Sequence, residues 1–107
     1  MNKKVTWNDL VCSYSKNPRD VVTVPTTNRA GKWFFVSAVN GKIVVKNATA
    51  HAESSQIKGK RTLRSEELEA MLDLYHRRQK GEGVFAEAAS TTVNQVYWYG
   101  IFSDLGL

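Results

Sequence analysis

A chain of 107 residues, 42% hydrophobic and 23% charged, is sized for one globular domain with a modest core, and its composition excludes a disordered polymer. The formal charge of +5 is unevenly spread: all fifteen Lys and Arg stand at or before Lys80 together with seven carboxylates, whereas Gly81 to Leu107 carries Glu82, Glu87 and Asp104 and no cation. No apolar run approaches the ~20 residues of a spanning helix, and the single Cys12 excludes an internal disulfide, so a reducing cytoplasm is the expected compartment.

Residues 1–20 contain no apolar core of a secretory signal. Trp7, Leu10, Val11 and Tyr14 fall at near-helical spacing behind Thr6 or Asn8 as cap. Asn17-Pro18-Arg19-Asp20 is turn material that ends this helix, and Val21 to Val24, closed by Pro25, reads as a short edge strand. Thr26 to Lys32 reads as a loop.

The clearest β signal follows. Lys32 to Val39 and Lys42 to Lys46 flank Asn40-Gly41, a pair that accepts the positive φ values of a two-residue hairpin turn. Trp33, Phe35 and Ser37 share one face of the first strand and Phe34, Val36 and Ala38 the other, which predicts a central strand covered on both faces. Asn47 to Ser55 lacks periodicity and reads as a loop, with a further short strand at Gln56-Ile57-Lys58 before Gly59.

From Leu63 onward the pattern is helical. Leu68, Met71, Leu72 and Tyr75 form one apolar stripe, with Ser65 as N-cap, Glu66, Glu67 and Glu69 in the first turn, Arg77, Arg78 and Lys80 in the last, and Gly81 as the stop. Asp73 and Arg77 are spaced for an i, i+4 ion pair. Val84 to Ala89 suits a short helix, and Ser90-Thr91-Thr92 offers caps for a last helix starting near Val93. That helix carries Val93, Val96, Tyr97 and Gly100 on one side and Gln95, Trp98, Tyr99 and Phe102 on the other, so both sides need cover, either from the N-terminal half or from a second subunit. Gly100 costs such a helix about 1 kcal/mol relative to Ala, which predicts a ring or backbone in close approach. The expected class is α+β: one domain over 1–107, with a small antiparallel sheet of three to four strands around a hairpin at 32–46 packed against C-terminal helices.

No repeat, linker or catalytic signature is present. His51 and His76 stand apart, with one cysteine in the chain, so zinc spacing is absent, and Gly81 and Gly83 do not make a phosphate loop. Asp20 ahead of strand residues is the only fragment of a metal-dependent nuclease pattern. No cofactor, small-molecule ligand or membrane partner is expected. The basic clusters Lys58, Lys60, Arg61, Arg64 and Arg77, Arg78, Lys80 are candidates for phosphate contacts, which dominate sequence-independent nucleic-acid affinity; a solvated cationic face is the plain alternative.

The stretch Leu63 to Tyr75, with Arg77 to Glu82 and Asn94 to Ile101, resembles small bacterial proteins of uncharacterised activity carried on integron mobile gene cassettes, a group that implies no common activity. The same stretch is similar to helix-turn-helix segments of small transcription factors, in which an Ala-rich middle helix precedes a Thr-capped recognition helix. Thr91, Thr92, Asn94 and Gln95 would then be the readers, on a helix without a cation. The leading expectation is a small, non-enzymatic cytoplasmic protein that meets DNA or RNA through its basic residues and forms a homo-oligomer through Trp98, Tyr99 and Phe102. The alternatives are an antitoxin-like protein-interaction module with no nucleic-acid role, and an enzyme whose site forms between subunits.

Overall fold

A computed structural model describes residues 5–24, 31–51, 54 and 57–107. Helix α1, Trp7–Lys16, opens with a reciprocal capping box: Thr6 Oγ1 accepts from the Asp9 N–H, and Asp9 Oδ2 accepts from the Thr6 N–H at 2.9 Å. Leu10 and Tyr14, one turn apart, are fully buried, and Trp7 Nε1 donates to the Gly41 carbonyl at 2.9 Å, fastening the helix to the hairpin turn.

Four strands form an antiparallel meander in the order β1-β2-β3-β4, comprising Arg19–Val22, Trp33–Val39, Lys42–Asn47 and Lys60–Leu63. The edge strand β1 begins two residues earlier than the turn reading of 17–20 allows, because Arg19 and Asp20 already pair with Val36 and Phe35. Pro18 confines the turn to Asn17 and itself by favouring extended backbone before it. Pro25 and the expected loop over 26–30 lie outside the described residues. The hairpin is as expected, with φ of 52° at Asn40 and 74° at Gly41, the two positive values of a type I′ turn.

The last strand is displaced from its expected place at 56–58. Ile57 buries its side chain but gives its N–H to Asn47 Oδ1 at 2.8 Å rather than to a ladder, and Gly59, at φ +70°, turns the chain into β4. Gln56 lies outside the described residues.

The stripe of α2, Leu68–Gln79, is buried as its period requires, joined by Leu74 and His76. Ser65 is not its cap; it starts a 3-10 turn, Ser65–Glu67, that leads into the helix without a side-chain cap. Gly81, at φ +92°, ends it. The hydroxyls of Ser90 and Thr91 likewise do not cap the last helix, because they bond back to the Glu87 carbonyl within α3, Phe85–Thr91.

Helix α4, Gln95–Asp104, is the centre of the core. Trp98 and Phe102 are fully buried and Tyr99 is 6% exposed, so none of the three offers a surface to a second copy. Their cover comes from within the chain: Trp98 packs on Trp7 and Phe102, and Phe102 on Tyr75. Six of the ten α4 residues are buried, so most of this helix is spent on the core and not on a DNA groove. A Cβ added at Gly100 would lie 2.8 Å from the Phe34 ring and 2.9 Å from the Val22 carbonyl oxygen, the close approach its sequence position predicts.

Candidate nucleic-acid interface

Of the seven basic residues singled out above, three are engaged inside the molecule. Arg77 lies 3.7 Å from Asp73, 3.1 Å from Glu82 and forks onto Glu87 with two bonds of 2.8 Å. The Glu87 and Glu82 hydrogen bonds push its guanidinium above its ordinary range and, reciprocally, Arg77 holds the Glu87 carboxyl below its own. Arg78 turns inward, donating to the Val24 carbonyl with its guanidinium 4.7 Å from the Tyr99 ring centre. These two arginines fasten the end of α2 to α3 and to the chain after β1, Arg77 with its charge met by carboxylates and Arg78 with a donor spent on a neutral carbonyl. Arg61 spends one donor on Asn94 Oδ1 at 3.1 Å and stands over Tyr97.

Lys58, Lys60, Arg64 and Lys80 are exposed, and Arg64 reaches Glu66 at 3.0 Å in an exposed pair worth little. The two basic clusters flank α2, Arg64 ahead of its start and Arg77, Arg78 and Lys80 at its close, and the 12 residues of the helix put its ends about 18 Å apart.

The sheet gathers cations that sequence spacing does not. Strand alternation and register put Val21, Phe34, Val36, Ile43, Val45 and Leu63 on the inner face, where all four helices contribute to the same buried cluster. The outer face carries Trp33 and Phe35, which are half-buried and outside that cluster, together with exposed Lys42, Lys46, Lys60 and Thr62. The expectation that both faces of β2 are covered therefore holds only for the inner one. One row across the outer face reads Asp20, Phe35, Lys46, Lys60. Lys46 and Lys60 stand directly opposite each other, an arrangement that costs stability through like-charge repulsion, and among the described residues no lysine has a carboxylate partner. Lys46 Nζ lies 5.2 Å from the Phe35 ring centre.

At the β1 end of that row sits a second feature. The Asp20 side chain, 3% exposed, accepts from the Thr49 N–H and hydroxyl, the Ala50 N–H at 2.8 Å and His51 Nδ1 at 2.9 Å. Burial alone would raise its carboxyl, but the bonds from Thr49, His51 and Ala50 outweigh it and bring the value down to about 2. Held this way, the His51 ring lies flat on Trp33, with centroids 3.5 Å apart and planes within 7°. No local sequence signal links Asp20 to His51, which are 31 residues apart; the only hint is that Trp33 and Phe35 share a face with Lys46 across a hairpin of fixed register.

Two other polar groupings are structural. Asp104 accepts from the Tyr14 hydroxyl at 2.8 Å and from Arg19 at 2.6 Å, tying α4 to α1 and β1; burial, then the Asp104 charge, push the Tyr14 phenol up. An open cleft of about 610 Å³ lined by Val24, Tyr75, Arg78, Gln79, Gly81, Glu82 and Ser103 has its cation already committed to the Val24 carbonyl. Among the described residues no helix is long and apolar enough to cross a membrane, and no group of three metal-ligating side chains forms. No family model matches the chain, and the comparisons with curated proteins and with solved structures found no match.

Proposed function

We propose that this is a small binding protein, not a catalyst, that engages nucleic acid through the outer face of its sheet. Lys46 and Lys60 take phosphates at its centre, with Lys42, Lys58 and Arg64 around them. The observation that carries the reading is the Lys46–Lys60 pair: two lysines at directly opposed positions of β3 and β4, neither with a carboxylate partner among the described residues. Like charges at opposed register positions repel, and a bound anion would relieve that repulsion. The reading transfers the phosphate role from Arg77 and Arg78, and places the protein in the cytoplasm, in keeping with the free, exposed thiol of Cys12. Anisotropy of labelled random-sequence nucleic acid at several salt concentrations tests it: affinity that falls steeply with salt supports the reading, and no binding at low salt rejects it.

A second reading, self-association, draws on a different surface. Phe85, Val93 and Val96 are 77%, 81% and 46% exposed and belong to the segment without Lys or Arg, so they replace Trp98, Tyr99 and Phe102 as interface candidates. Light scattering of wild type against Phe85→Asp/Val93→Asp tests it; a monomeric wild type ends this reading.

A further inference from the structure

We infer that the nucleic acid taken by this face is single-stranded, its bases stacking on the Trp33–His51 pair and on Phe35 while Lys46 and Lys60 hold the adjoining phosphates. This rests on the nucleic-acid reading above and adds the class of polymer.

Three observations favour it. The helix whose position in sequence suits groove reading, α4, spends six of its ten residues in the core, and the cationic surface is instead the outer face of the sheet. The same face carries rings beside its cations: Phe35 lies between Asp20 and Lys46 in one row, and Trp33 is two residues along the same strand, about 6.6 Å away. A duplex hides the faces of its bases, so aromatic rings beside phosphate-binding lysines gain nothing from it. An unstacked strand offers both a base and a phosphate to each such ring and lysine.

The third observation is the rigidity of the platform. Asp20 accepts from His51 and from two backbone N–H groups of the loop that carries it, fixing the imidazole plane parallel to the indole. The His51 side chain remains 41% exposed, so a base can add to the stack without a rearrangement of the loop. Lys46 Nζ above Phe35 can move to a phosphate, because among the described residues no carboxylate holds it.

The test compares labelled 12-nucleotide single strands of oligo-uridine and oligo-thymidine with a duplex of equal charge, using the full chain. The single strands should bind more tightly than the duplex. His51→Ala and Trp33→Ala should each weaken single-strand binding about 5- to 140-fold, the range expected for one lost base stack, and leave duplex binding and the salt slope unchanged. Trp33→Phe should recover most of the loss. Circular dichroism identifies a variant that fails to fold, and His51→Ala, altered outside the strands, then decides. Duplex binding as tight as single-strand binding, or His51→Ala with wild-type single-strand affinity, overturns this inference and leaves the nucleic-acid reading standing. Absence of binding to any of the three polymers at low salt overturns both.

Discussion

Replacing Gly100 by Ala tests the packing of α4 on the sheet. In an isolated helix the change gains about 1 kcal/mol, because Gly is the poorer helix former by that amount. Here the new methyl would stand 2.8 Å from Phe34 Cζ and 2.9 Å from the Val22 carbonyl oxygen. The Phe34 ring is fully buried and the Val22 oxygen belongs to the backbone of β1, so neither can yield without moving α4 or the strand. Overpacking of a tight core costs typically 1–3 kcal/mol, and a contact against two such neighbours belongs at the upper end. The net expectation is a loss of about 1–2 kcal/mol, measured as a lower urea midpoint with unchanged slope and a fall in Tm of roughly 4–8 °C per kcal/mol for a domain near this size. A Gly100→Ala protein as stable as wild type, or more so, would refute the close approach of α4 to β1 and β2.

Other outcomes follow from the same geometry. Trp98→Ala should lose about 3–5 kcal/mol as a buried indole is removed, without altering the mass of whatever folds; a stable variant with a changed oligomeric state would return Trp98 to a subunit interface. Asp20 has a folded value lowered to about 2, so the stability it lends is fully present above the ordinary carboxylate range and is lost as pH falls through about 2. Asp20→Asn should therefore be less stable at neutral pH by at most about 2 kcal/mol and show a flatter acid limb in pH-dependent denaturation; a variant with the wild-type pH profile would contradict the Thr49, Ala50 and His51 bonds. Arg77→Ala should loosen α3 from α2, seen as faster amide exchange in 85–91, while nucleic-acid affinity and its salt slope stay as in wild type. A reduced slope would mean that Arg77 meets phosphate after all.

Local chemistry made much of the fold legible. Asn40-Gly41 sets its hairpin because few other residues accept positive φ twice in succession, and the stripe Leu68, Met71, Leu72, Tyr75 buries itself by period alone. Even the role of Gly100 was readable, since a glycine in an aromatic helix implies a neighbour that needs the space. What sequence spacing could not supply was partnership at a distance. Spacing makes Arg77 and Arg78 candidates for phosphate and shows only the Asp73 partner of Arg77, because Glu87 and the Val24 carbonyl reach them only after α3 and β1 are in place. Trp98 and Phe102 looked like a subunit interface because nothing local says that Trp7 and Tyr75 will cover them. The outer sheet face was hidden for the same reason: Lys46 and Lys60 become neighbours only through the register of β3 with β4, and His51 reaches Trp33 only through Asp20.

The central claim is that Lys46 and Lys60 hold phosphates, and the salt dependence of binding measures this directly. Each phosphate neutralised on a single strand contributes about 0.7 to the slope of log K against log salt. Lys46→Ala/Lys60→Ala should therefore lower that slope by about 1.4 and weaken binding to all sequences alike, whereas Arg77→Ala should not move it. A double variant that keeps the wild-type slope and affinity would contradict the account, because the paired lysines would then face water and not a polyanion.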